Sequence, residues 1–160
     1  MVTTSLKDYL DEHRVPYQVI SHEPAFTAQC IADLTHTPGR ELAKAIMVKL
    51  DDNLIMAVLP AMYRVDLGAL KRATKAKSAV IAFEEEFYNR FPDCETGAMP
   101  PFGHLYGVTV FADESLMRDE HITFNAGTHR EVIRMTWEDY VKMADPKIIR
   151  LAARTGVEAA

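Results

Sequence analysis

Leu42-Ala-Lys-Ala-Ile-Met-Val-Lys-Leu50, Asp51-Asp-Asn53 and Leu54-Ile-Met-Ala-Val-Leu-Pro60 decide the fold. Two apolar runs, 43–50 and 54–60, flank three turn-forming residues. That pattern reads as a β-hairpin. One residue breaks it. Lys44 carries an ammonium into an apolar strand, where burial of a charge is costly. It either reaches the rim of the sheet or points into a polar cavity.

Working outward, residues 3–13 read as an opening helix, with Leu6, Tyr9 and Leu10 on one face and Pro16 ending it. Residues 17–22 read as a strand. Thr27 caps a helix over 28–36, and Asp66 caps another that runs to Lys75. Residues 79–82 read as a strand and 83–90 as a short acidic helix. Beyond them, 106–111, 122–125 and 131–135 read as strands, 114–118 as a helical turn, and Thr136 caps a last helix over 137–143. From Pro146 the tail is expected to fray. Six or seven strands and about five helices, in an order that is not a regular βαβ repeat, predict an α+β class. The expected architecture is a mixed six- to seven-stranded sheet curled into a partial barrel with flanking helices. All 160 residues form one expected domain, with its core over about 5–145.

Composition narrows the function. The net charge of −5 argues against a general nucleic-acid coat. One stretch runs the other way: Arg64, Lys71, Arg72, Lys75 and Lys77 surround a single acid, Asp66. On a helix Lys71 and Lys75 share a face, suited to phosphates or simply to solvent. No apolar run approaches the ~20 residues of a membrane span, and the N-terminus has no signal-like region. The expected compartment is the cytoplasm, with no membrane partner. Cys30 and Cys94 form no CxxC pair, and the six histidines show no metal-binding spacing, so neither metal nor cofactor is expected. No serine sits in a nucleophile elbow, and no glycine pattern forms a phosphate loop.

Two glycine turns remain. Gly97-Ala-Met-Pro-Pro-Phe-Gly103 is a loop stiffened by Pro100 and Pro101, able to present backbone N–H groups to a carbonyl. Asn125-Ala-Gly-Thr-His-Arg130 joins two strands, where Gly127 permits close approach and His129 offers a ring nitrogen. Each alone also reads as an ordinary connection.

In order along the chain, His22-Glu-Pro24, Lys44 at the head of its apolar strand, Gly97-Ala-Met-Pro-Pro101 and Ala126-Gly-Thr-His129 resemble the YbaK/EbsC group, the prolyl-tRNA-synthetase-associated editing domain. The resemblance spans roughly 6–143. It implies a mixed α/β fold and a trans-editing aminoacyl-tRNA deacylase, which hydrolyses the ester of a mischarged tRNA without a cofactor. An aminoacyl-tRNA synthetase is a further expected partner. Lys44, Gly97, Pro101, Gly127 and His129 are then the expected catalytic set. His22, Phe26, Met47, Met62 and Asn125 are expected to bind the substrate, whose side chain the two methionines would make small and rather apolar. Apart from the resemblance, the basic stretch of Arg64, Lys71, Arg72, Lys75 and Lys77 is expected to meet tRNA. The competing reading is a non-catalytic tRNA- or nucleotide-binding module of the same fold.

Overall fold

A computed structural model describes residues 4–153. The hairpin is its centre. Strand β2 (Leu42–Leu50) pairs antiparallel with β3 (Asn53–Pro60), from Ala43 opposite Pro60 to Leu50 opposite Asn53. Asp51 and Asp52 make the two-residue turn, both in the left-handed region at φ 48° and 73°. Two left-handed residues in such a loop match the twist of the flanking strands. The Asp51 carboxylate also accepts the N–H groups of Lys77 and Ser78, and so anchors the next segment to the turn.

Around the hairpin, β1 (Gln18–Ser21), β8 (Glu131–Thr136) and β7 (His121–Asn125) pair in antiparallel sequence. Strand β7 joins the start of β2 in parallel, Leu42 opposite Thr123 and Ala43 opposite Phe124. On the other side β3 meets β6 (Thr109–Asp113) and β6 meets β9 (Lys147–Ile149), both in parallel. A short strand, β5 (Ala79–Ile81), pairs with the far end of β2 on the edge that β7 uses at its start. The sheet is therefore mixed and α+β, as expected. Among the described residues it has eight strands, and a separate two-stranded ladder joins β4 (Arg64–Val65) to β10 (Ala152–Ala153).

Helices α1 (Thr4–Glu12) and α5 (Trp137–Ala144) belong to one face of the sheet. There Leu6, Leu10, Met56, Phe102, Phe124 and Tyr140 form the largest apolar cluster. Helices α2 (Ala28–Thr35) and α3 (Leu67–Thr74) serve the other face. Thr27 and Asp66 cap them by accepting the N–H groups of Cys30 and Ala69. That second face holds two separate clusters, Ala25/Ile31/Leu42/Val132 under α2 and Val48/Leu59/Leu70/Phe111 under α3. Lys44 belongs to neither. No helix among the described residues is long and apolar enough to cross a membrane.

The expected frayed tail is corrected over 146–153. Leu151 is fully buried, and Asp113, itself 3% exposed, accepts the N–H groups of Leu151 and Ala152 at 2.8 and 2.9 Å. A buried carboxylate at the end of β6, 38 residues before Leu151, holds this segment, and no periodicity within the segment announces it. Residues 154–160 lie outside the described part, as does Thr3 of the expected first helix. The strand expected from residue 106 starts at Thr109, because Gly103–Tyr106 closes as a 3-10 turn. The helix Glu84–Phe87, α4, and a following 3-10 turn replace the single acidic helix over 83–90.

Candidate active site

Strand β2 has one gap along its second edge. β7 leaves it after Ala43, and β5 takes it up at Val48. The Met47 carbonyl accepts from the Ala82 N–H. Backbone groups alternate edges along an antiparallel strand, so the N–H and C=O of Ala45 face that gap. A cavity of about 280 Å³ lies there, lined by Phe26, Lys44, Ala45, Gly97 and Asn125 together with apolar residues of α2, β2 and Ala61.

Lys44 is partly buried between the two apolar clusters of its face and makes no ion pair among the described residues. Its pKa is lowered, first by burial and then by the nearby Arg64 guanidinium. Two like charges with no carboxylate partner favour an anionic or carbonyl-bearing ligand.

The two glycine turns are zipped together beside it. Gly127 donates to the Ala98 carbonyl at 2.9 Å, and its own carbonyl accepts from Glu95 at 2.8 Å. The His129 N–H donates to Glu95 Oε1 at 2.7 Å, and His129 Nε2 lies 2.9 Å from the Thr96 carbonyl. Gly97 adopts φ +84° and Gly127 +99°, a region where a β-carbon is strained. A β-carbon on Gly97 would also stand 3.6 Å from His129 Cε1. The Gly97 N–H donates to no acceptor among the described residues.

Three side-chain atoms around these turns are buried without a partner: Asn125 Oδ1, His129 Nδ1 and His22 Nε2. A carbonyl facing His129 Nε2 and the Glu23 carbonyl 2.6 Å from His22 Nδ1 require protons on those nitrogens. In the neutral rings the orphaned nitrogens are therefore acceptors. Unpaired buried acceptors are costly in isolation, and a ligand with N–H or O–H donors satisfies them.

Lys44, Gly97, Phe26 and Asn125 thus share one cavity. His129 borders it, against Gly97 and with its ring centroid 4.6 Å from that of Phe26, and Gly127 holds the turn from behind. Others stand apart. Met47 is 2% exposed on the opposite face, within the large cluster, because odd and even positions of β2 face opposite ways. Met62 is exposed beside Gly39, outside the cavity lining. Pro101 is buried, and its carbonyl accepts from Tyr140 Oη at 2.9 Å, so it braces the loop from the core. Neither methionine lines the cavity, whose apolar part comes instead from Phe26, Ile31, Leu42 and Ala61. Lys71, Arg72, Lys75 and Lys77 are exposed on and after α3, over the sheet face that carries Lys44. Sequence reasoning missed Ala45, whose contribution is its backbone, and Ile31, Leu42 and Ala61 of the lining. Only the pairing of β2 and the packing of α2 on it reveal them. Among the described residues no three His, Cys, Asp or Glu side chains are grouped to hold a metal ion.

Residues 22–143, covering both turns and Lys44, match the aminoacyl-tRNA editing domain family. The chain belongs to that family. The expectation of an aminoacyl-tRNA deacylase is met at that level. The editing domain is 26% identical over 145 residues to the multifunctional Ser/Thr-tRNA deacylase ProXp-y of Escherichia coli K12, covering 88% of this chain and 86% of that protein. Among solved structures it resembles the hypothetical protein APE2540, with a TM-score of 0.84, 13% identity and coverage of 93% and 99%. It also resembles a candidate trans-editing enzyme for prolyl tRNA synthetase, with a TM-score of 0.81, 19% identity and coverage of 93% and 95%. Those two likenesses concern the fold.

Proposed function

We infer that this editing domain acts in trans, hydrolysing the ester of tRNA mischarged with a small hydroxyl-bearing amino acid, serine or threonine. The observation that carries the reading is the gap in the β2 edge. It gathers Lys44, the Ala45 and Gly97 N–H groups and the unpaired Asn125 Oδ1 around one cavity.

An aminoacyl ester is already activated, so positioning and charge stabilisation supply most of the acceleration. Water adds to the carbonyl carbon. Negative charge grows on the former carbonyl oxygen, which the free N–H groups and the Lys44 ammonium stabilise. The tetrahedral species then expels the ribose oxygen, which takes a proton, leaving the free amino acid and intact tRNA. The neighbouring ribose hydroxyl is well placed to relay that proton. Asn125 Oδ1 and His129 Nδ1 accept from the substrate's hydroxyl and α-ammonium. A site built to pair a hydroxyl rejects the analogue lacking it, because its polar groups are then stranded. The Ser/Thr specificity of the E. coli relative supports this choice, and the structural neighbour described as editing for prolyl tRNA synthetase supports a synthetase as partner.

The test is a panel of Ser-, Thr-, Ala-, Cys- and Pro-charged tRNAs. Preference for Ser or Thr over Ala by about tenfold or more in kcat/KM, matching a methylene-scale or larger discrimination, is the expected outcome. Equal rates on Ala-tRNA would remove Asn125 from the specificity argument.

A further inference from the structure

A concavity larger than the Lys44 cavity opens at the other end of β2. It is a groove of about 540 Å³, bounded by the hairpin turn, the end of α3, Thr109, Phe111, Arg90 and Lys147. Three cations line it: Lys75, Arg90 and Lys147. All three are exposed, and none makes an ion pair among the described residues. The single acid in the lining, Asp51, already accepts from Lys77 and Ser78. The groove lining thus carries three cations against one carboxylate, on a chain whose net charge is −5.

Three separate elements deliver these charges. Lys75 ends α3 in the left-handed conformation at φ 60°, which turns the chain at that point. Arg90 closes the 3-10 turn Tyr88–Arg90. Lys147 opens β9, where its ammonium lies 5.7 Å from the centroid of the Phe111 ring. Unpaired cations brought together from distant parts of the chain repel one another and weaken the fold slightly. An anion removes that cost.

We propose that this groove binds backbone phosphates of RNA. Its position favours RNA over a free anion. The groove and Lys44 are served by the same face of the sheet, since Leu50, Ile55 and Phe111 line the groove and belong to the cluster under α3. Lys44 and Leu50 stand six positions apart on β2, about 20 Å at the rise of a strand. Between them lies α3 with Lys71 and Arg72 exposed. Exposed cations of α3 therefore lie on the sheet face that the cavity and the groove share. The inference rests on the deacylase reading only for the identity of the RNA. The groove adds Arg90 and Lys147, two cations that carry no signal in the sequence.

The experiment is binding of a fluorescent acceptor-stem RNA hairpin to the full chain at several salt concentrations. Arg90→Glu/Lys147→Glu is compared with Lys7→Glu/Lys142→Glu, which changes net charge equally at exposed sites elsewhere. The groove variant is expected to raise Kd on the order of tenfold over the control. It should also lower the salt slope by about two, one for each lost phosphate contact. Kd and slope equal to the control's would overturn the proposal. A parallel titration with pyrophosphate covers the other source of phosphate: loss of pyrophosphate binding with RNA binding unchanged would make the groove a small-anion site and also overturn it. Deacylation by the unaltered protein is scored separately. Its absence, with groove-dependent RNA binding intact, would sink the hydrolase reading and leave the groove standing.

Discussion

Lys44→Met separates the cost of the lysine in the fold from its role in the site. The substitution keeps a long flexible side chain and removes the ammonium. The charge now sits partly buried between two apolar clusters, with Arg64 near it and no carboxylate partner among the described residues. Its pKa is lowered, so the folded state binds its proton less well than the unfolded chain does. The sign follows. The penalty is fully present below the lowered pKa, where both states are protonated. It fades as pH rises from there towards 10.5, the ordinary lysine value. At neutral pH the methionine variant is therefore expected to match or exceed the parent in stability, by up to about 1 kcal/mol, or roughly 2–4 °C in Tm. Its advantage should shrink as pH rises towards 10.5. Catalysis moves the other way. Loss of one preorganised donor at a developing oxyanion costs about 100- to 1000-fold in kcat, or about 2.7–4 kcal/mol. Urea unfolding at pH 7 and pH 10, with single-turnover deacylation at pH 7, measures both. Destabilisation by more than about 2 kcal/mol would mean that the ammonium is paired in the fold. A rate within threefold of the parent would take Lys44 out of the chemistry.

Further outcomes follow from other contacts. Gly97→Ala forces a β-carbon onto a φ of +84° next to the His129 ring, so it should cost about 1 kcal/mol and lower kcat more than it raises KM; unaltered kinetics would show that the loop does not meet the carbonyl. Asp113→Ala strands the N–H groups of Leu151, Ala152 and Ser115 and should destabilise by about 2–4 kcal/mol in urea unfolding, with early proteolytic loss of the C-terminal segment. Glu41→Gln leaves the buried end of the Arg134 pair and the Thr123 hydroxyl bond short of charge, at about 2 kcal/mol in the same assay. The Cys94 thiol is pushed up to about 12, chiefly by burial, and Cys30 is exposed, so one equivalent of a disulfide reagent should react quickly at pH 8 and none in Cys30→Ser.

The hairpin, the capped helices and the α+β class are legible because each rests on local chemistry: two aspartates at a two-residue turn, Thr27 and Asp66 at helix starts, apolar runs on either side. The chain after Pro146 is not, because its order comes from Asp113, more than thirty residues earlier, and two-residue strands such as Ala152–Ala153 carry no period. Within the site, Lys44 stands out as a charge in an apolar run, and Gly97 as a glycine that its loop needs. Met47 misleads because only strand phase tells it from Lys44, three positions away on β2. Ala45 has no signal at all, since what it offers is an unpaired backbone edge. Arg90 and Lys147 are single cations in sequence and become a cluster only when the turn after α4 and strand β9 meet the end of α3.

The central claim is that the Lys44 cavity consumes the ester and does not merely hold it. One reaction mixture reads both: seryl-tRNA labelled in the amino acid, with protein in excess, sampled in parallel by filter retention and by acid-precipitable label. Loss of acid-precipitable label far faster than the spontaneous rate, while tRNA remains retained by the protein, is the predicted result. Retained tRNA whose ester decays no faster than in buffer would contradict the account and make this fold, in this chain, a binding module.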